Sequence, residues 1–218
     1  MELFLTVLSG IGWMIVYEEC IRLGFKQKTY AMPLFALGLN FAWELIYTLA
    51  DIFLEAHGPL TGLTLVQAIV NAVWVCLDVV ILVSYFKYGK KEWPKSIDSK
   101  FFAPWSVLVL ICSFALQLAF IVGFGFVKAA QYAAFLQNLL MSVLFISMYV
   151  KRGSMEGQSV LLAVAKWIGT LAPTIVFGVM EYNPVVLVSG IFCTVFDLIY
   201  ISLLGKQIRK EKAIQNGG

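Results

Sequence analysis

The chain has 218 residues, 61% of them hydrophobic and only 13% charged, with 16 basic and 13 acidic side chains and a mean hydropathy of +0.86. So little charge excludes a soluble globular domain, a nucleic-acid binder and a disordered segment, each of which needs a far more polar surface. The composition is that of a chain that lies within a bilayer.

A spanning helix takes about 20 apolar residues, and seven such runs follow one another, at roughly 3–22, 31–54, 62–86, 103–126, 131–150, 158–180 and 184–204. The expected fold class is all-α, a seven-transmembrane-helix bundle forming a single domain over residues 1–218. In the first run Met1-Glu2 leads straight into Leu3, with no basic region and no small-residue cleavage site, so it reads as a retained helix and not as a signal peptide. Pro33 falls in the first turn of the second helix, where it is tolerated, and His57-Gly58-Pro59 ends that helix. Trp93-Pro94 marks the 3–4 connection and Asn183-Pro184 precedes the seventh helix, while Pro173 lies inside the sixth and predicts a kink.

Charge gives the orientation. Fourteen of the sixteen basic residues fall in the 1–2, 3–4 and 5–6 connections and the C-terminal tail; Lys128 alone lies on the opposite side, in the expected 4–5 turn, and Lys166 lies inside helix 6. The positive-inside rule then predicts an extracytoplasmic N-terminus and a cytoplasmic C-terminus. Cys20, Cys76, Cys112 and Cys193 sit in or beside apolar runs without CxxC or Cys/His spacing, so they read as packing residues and no metal is expected.

Three carboxyl groups lie deep in the runs: Glu44, Asp78 and Asp197. An ionisable group at bilayer depth costs about 2.5–3.5 kcal/mol on insertion scales, so it faces a protein interior and marks a functional site. Asp51 and Glu55 approach the outer end of helix 2, and Glu18 and Glu19 the inner end of helix 1, where headgroups or water are in reach. Asn40, Trp43, Glu44 and Tyr47 follow i, i+3, i+4, i+7 spacing and share one helical face. Phe196-Asp197-x-x-Tyr200 echoes Trp43-Glu44-x-x-Tyr47, and Asn71-x-x-Trp74-x-x-x-Asp78 is a looser relative. On that ground Glu44 and Asp197 read as functional, whereas Asp78 fits an interhelical hydrogen bond or a pair with Lys166. Lys166, about 12 Å deep at 1.5 Å per residue, either snorkels or pairs with an aspartate. A pairing with Asp197 would keep that carboxyl ionised and unable to donate a proton.

A carboxyl group in a water-poor pocket keeps its proton, because desolvation penalises the charged form. A neutral acid beside aromatic faces suits acid-initiated carbocation chemistry: it protonates an epoxide or alkene, and π-surfaces steady the cation that follows. The mid-run aromatics Trp13, Trp43, Tyr47, Trp74 and Tyr200 can supply such surfaces.

Three stretches, Gly12-Trp13-x-Ile15-x-Tyr17, Lys28-Thr29-Tyr30-Ala31-Met32-Pro33 and Asn40-x-Ala42-Trp43-Glu44-x-x-Tyr47, resemble the integral-membrane terpene cyclases of fungal meroterpenoid and indole-diterpenoid biosynthesis. The resemblance is specific over residues 10–50 and extends to the last-helix acid Asp197. It implies seven helices, a catalytic pair of Glu44 and Asp197, and cyclisation of a hydrophobic prenylated aromatic or indole compound, often one with a terminal epoxide. Trp13, Asn40, Trp43, Tyr47, Asn71, Trp74, Asp78 and Tyr200 are the expected substrate-binding residues. No cofactor is expected, and the partners are the substrate and membrane lipid, not nucleic acid. The sequence holds no DDxxD aspartate cluster for diphosphate ionisation and no DxDD acid motif. An integral, multi-pass location follows, in the endoplasmic reticulum if the cell is eukaryotic. Two rivals use buried charge as well. A proton-coupled transporter would show Gly/Pro-broken helix pairs, and a retinal-type photoreceptor would need a lysine in helix 7, which has none before Lys206.

Overall fold

Lipid offers no partner to a backbone N–H or C=O, so a spanning segment satisfies those groups within itself and each apolar run folds as a helix. In the computed structural model, which describes residues 1–217, these are α1 Glu2–Gln27, α2 Leu34–Leu54, α3 Gly62–Tyr88, α4 Phe102–Phe124, α5 Phe126–Arg152, α6 Val160–Pro173 and α7 Pro184–Gly217. Short 3₁₀ turns at Gly89–Glu92 and Ser99–Phe101 lie between α3 and α4. Counting α6 with its continuation to Met180, seven helices among the described residues are long and apolar enough to cross a membrane. The fold is all-α, and every expected span is present.

The helix ends follow local chemistry. Asn183 Oδ1 accepts from the Val185 N–H at 3.1 Å, and Pro184 takes the first helical position, where its missing N–H is not needed. α5 begins at Phe126 and not near residue 131, because Gly125 at φ 75° reverses the chain in a single residue. Lys128 therefore lies in the first turn of a helix and not in a turn between helices.

Pro173 disrupts α6 as expected, in a specific way. It has no N–H for the carbonyl of Gly169, four residues back. Ser9 of α1 donates its hydroxyl to that carbonyl at 2.7 Å, and the chain continues as a π-helix over Thr174–Met180.

The helices close a ring in the order α1, α3, α2, α4, α5, α7, α6, and α2 also meets α5 across it. This cross-contact separates a three-helix corner (α2, α4, α5) from a larger interior bounded by the other helices. At the end where the basic residues collect, the Arg152 guanidinium lies 4.2 Å over the Tyr30 ring and donates to Tyr30 O at 2.9 Å and Glu156 O at 2.6 Å. The Gly157 N–H donates to Gln27 Oε1 at 2.6 Å, so the 1–2 and 5–6 connections are bound to each other.

Of the four acids expected near water, Glu18 and Glu55 are exposed but Glu19 and Asp51 are buried. Glu19 is held by Arg22 at 2.7 and 2.9 Å and by Ser159 at 2.8 Å, and Asp51 Oδ1 lies 2.7 Å from His57 Nδ1. A nearby side chain folds over each carboxyl and replaces water. Cys20 and Cys193 are buried, whereas Cys76 and Cys112 lie on exposed helix faces.

Close approach of α1 and α6 depends on small residues, as is usual where no hydrophobic effect drives helices together. A Cβ at Gly12 would stand 2.8 Å from Ala165 O and 2.9 Å from Gly169 N, both backbone atoms that cannot swing aside. We therefore expect Gly12→Ala to push the two helices apart at a cost of about 1–3 kcal/mol, read as a lower midpoint of thermal unfolding in detergent.

Candidate active site

Sequence places Asn40 and Glu44 one turn apart on α2, and the fold brings α1 and α3 against the same face. The Asn40 side-chain nitrogen lies 2.9 Å from Glu44 Oε1, 3.0 Å from Asp78 Oδ2 and 2.6 Å from the Tyr17 hydroxyl oxygen. Tyr17 in turn donates its hydroxyl to Glu44 Oε1. Two carboxyl groups thus converge on one amide, all four side chains are buried, and no cation is paired with either acid among the described residues. Glu44 Oε2 and Asp78 Oδ1 are buried and have no hydrogen-bond partner among the described residues.

Aromatic rings cover this group. Trp74, one turn before Asp78 on α3, stacks on Tyr17 with ring centres 6.0 Å apart and planes at 27°, and Trp13 lies 6.4 Å from Tyr17 on its own helix. The Trp74 indole N–H is buried and unpartnered. Behind α2, in the three-helix corner, Gln137 of α5 donates to Asn40 Oδ1 at 3.3 Å, and Gln117 of α4 donates to Gln137 Oε1 at 2.7 Å and to Leu39 O at 3.2 Å.

A second buried group joins α5, α6 and α7. Lys166 Nζ donates to both oxygens of Asp197 at 3.0 Å and to the Ser142 hydroxyl at 2.7 Å. The side chains of Lys166 and Asp197 are 0% and 1% exposed, so the lysine pairs and does not snorkel. All three ammonium hydrogens are taken, and Asp197 stands as a compensated carboxylate.

Of the residues singled out from sequence, Trp13, Asn40, Glu44, Trp74 and Asp78 come together. The hydroxyl that reaches Glu44 is that of Tyr17, while the Tyr47 hydroxyl, one turn further along α2, has no partner. Trp43 donates to Ala130 O at 3.0 Å and lies 4.8 Å from Tyr47, which contacts Phe126 at 4.7 Å, away from the basic end. Asn71 accepts from Gln67 at 2.8 Å. Tyr200 stacks on Phe145 at 5.6 Å and donates to Gln158 Oε1 at 2.8 Å, toward the basic end. An open crevice of about 670 Å³ lies there between α1, α7 and the 5–6 connection; Arg22, Lys26, Gln158 and Glu211 line it, and neither Glu44 nor Asp78 does. Sequence reasoning missed Tyr17, Gln117 and Gln137 as members of the site. Tyr17 was signalled by its place four residues after Trp13, Gln117 by being a lone amide in an apolar run, and Gln137 by standing with Asn138 in the middle of another.

A seven-helix bundle enclosing two carboxyl groups under aromatic cover is an integral, multi-pass membrane protein with an acid-bearing interior. It belongs to the Pyr4-like transmembrane terpene cyclases, whose family model matches residues 1–206, and so to the membrane enzymes that cyclise terpenes. Terpene cyclase pyr4 of Aspergillus fumigatus is 27% identical to it over 218 residues, covering 95% of this chain and 87% of the relative. Terpene cyclase ascF of Acremonium egyptiacum is 26% identical over 236 residues, with 96% and 82% covered. Asnovolin H synthase nvfL of Aspergillus novofumigatus is 29% identical over 168 residues, with 77% and 65% covered. No solved structure matches the chain.

Removing one partner of a buried ion pair strands the other charge, at about 3–5 kcal/mol, whereas replacing both with apolar groups is often neutral. Lys166→Met should therefore unfold at a clearly lower temperature than the parent protein. The double change Lys166→Met with Asp197→Leu should recover most of that loss in the same thermal measurement.

Proposed function

We propose that this chain is an acid-initiated cyclase in which Glu44 protonates the terminal epoxide, or alkene, of a prenylated, meroterpenoid-type substrate. The observation that carries the reading is the convergence of Glu44 and Asp78 on Asn40 without a cation. Two ionised carboxylates sharing one amide in a low-dielectric interior repel each other and lack solvation, so the pair retains a proton. That proton is the catalyst's working group.

The step balances simply. Glu44 gives its proton to the epoxide oxygen, the carbon–oxygen bond opens to an alcohol and a tertiary cation, and chain alkenes attack it in turn to form ring bonds. Loss of a proton from the last cation regenerates the acid, so the whole is an isomerisation. Trp13, Tyr17 and Trp74 present π-faces to the positive charge, each contributing about 0.5–2 kcal/mol. Trp43 and Tyr47 extend that lining along α2, Asn71 continues the face of α3, and Tyr200 closes the opposite wall. Asp197, the second member of the pair that the resemblance implies, faces the same larger interior but is neutralised by Lys166; in this reading it fixes that wall and leaves proton donation to Glu44. The substrate enters from lipid, which already dissolves it.

Glu44→Gln keeps an acceptor for Tyr17 and Asn40 and removes only the transferable proton. We expect it to lower cyclisation by about 10²–10⁴-fold without lowering thermal stability, measured as product formed from an epoxidised prenyl substrate. Retention of parental activity by this variant would sink the assignment.

The basic residues gathered at one end of the bundle support an orientation with that end in the cytoplasm, in the endoplasmic reticulum of a eukaryotic cell. A C-terminal reporter should stay unglycosylated, and its modification in the lumen would reverse the orientation.

A further inference from the structure

Three buried amides lie in a chain behind the acids, and one of its ends is fixed. The carbonyl of Leu39 can only accept, so the Gln117 amide presents its nitrogen to it at 3.2 Å. That same nitrogen meets Gln137 Oε1 at 2.7 Å, and Gln137 Nε2 meets Asn40 Oδ1 at 3.3 Å. Asn40 is left with its nitrogen toward Tyr17, Glu44 and Asp78. Turning any one amide would set two like ends against each other. Turning all three together would set Gln117 Oε1 against Leu39 O. The orientation of the buried Asn40 amide is thereby determined from α4 and α5.

This has a consequence for the acids. Glu44 Oε1 receives both Tyr17 and Asn40, so its two lone pairs are taken and a hydrogen on it would point at a donor, whereas Asp78 Oδ2 receives Asn40 alone. Glu44 Oε2 and Asp78 Oδ1 have no donor aimed at them and are buried. We propose that Gln117 and Gln137 are positioning residues that, through Asn40, keep donors on Glu44 Oε1 and so direct the transferable proton of the Glu44–Asp78 pair onto Glu44 Oε2, the oxygen that no protein donor reaches. The proposal rests on the acid-initiated reading above. It also accounts for two glutamines, 1% and 5% exposed, in the middle of apolar helices, where an unpaired amide is costly.

The test is infrared spectroscopy of the substrate-free enzyme in lipid nanodiscs, in the region of the protonated-carboxyl C=O stretch, with kinetics alongside. The band of the pair is the one lost in Glu44→Gln or Asp78→Asn. Gln137→Met, of similar size, releases Asn40 to turn and should shift that band, lowering kcat roughly tenfold with KM changed less than about twofold. Gln137→Glu, which keeps its proton in this buried, cation-free place, still donates to Asn40 and accepts from Gln117, so it should retain the parental band and most of the kcat that Gln137→Met loses. If Gln137→Met proves unstable, Gln117→Met, one amide further back, should shift the same band. A band in its parental position in a folded Gln137→Met or Gln117→Met protein overturns the proposal, as does the absence of any band removed by Glu44→Gln or Asp78→Asn. Full activity of Glu44→Gln would instead overturn the cyclase mechanism, and the band shift would still decide whether the amides orient the pair.

Discussion

Lipid supplies neither donors nor acceptors, and that single constraint decides where each polar side chain of this bundle can be. Lys166, Ser142 and Asp197 answer it by completing one another: three ammonium hydrogens meet three oxygens, and the charges cancel. Glu44 and Asp78 answer it only in part. Tyr17 and Asn40 serve the inner oxygen of Glu44 and Asn40 that of Asp78, while the outer oxygens remain without a hydrogen-bond partner among the described residues. In the proposed reaction it is this incomplete group, and not the satisfied one, that has an oxygen to offer a substrate. The contrast between the two clusters is the chemical content of the fold.

The ring of helices makes the contrast possible. Contact between α2 and α5 sets the glutamines in a corner of their own, behind the acids, and leaves the larger interior to the aromatic rings and the ion pair. The tight seam of α1 and α6 holds Tyr17 against α2 and α3 through backbone contacts at Gly12, while Ser9 caps the carbonyl that Pro173 cannot serve. Packing here is a means of fixing where four oxygens and one amide stand.

The helices, their number and their order were legible in the sequence, because hydropathy reports directly on what lipid will accept. Asn40, Glu44, Trp74 and Asp78 were legible as inward-facing, because spacing within one helix defines a face. What spacing does not reveal is which faces meet. Asp78 read as fitting an interhelical hydrogen bond and makes one, but its spacing did not say that the partner is the amide Glu44 also uses; Tyr47 had the right register to hold Glu44, yet Tyr17 of another helix reaches it. Lys166 had two predicted fates, and only the packing of α6 on α7 selects the pair with Asp197. Asp51 looked solvated by its position near a helix end, but the 2–3 connection folds His57 back over it. Each of these depends on contacts between residues far apart in the chain.

The amide chain ending on Leu39 has one more property. Amide nitrogens hold their hydrogens tightly, so a row of them can aim a donor but cannot pass a proton along. Among the described residues, Tyr17 and Asn40 alone donate to the two carboxyls, and neither is bonded onward to water-exposed groups. In the proposed reaction, the hydrogen that the acid lends at the start of a cycle is therefore replaced by the one the final cation gives up. Under that proposal, isotope in the surrounding water would enter the product slowly and not once per turnover.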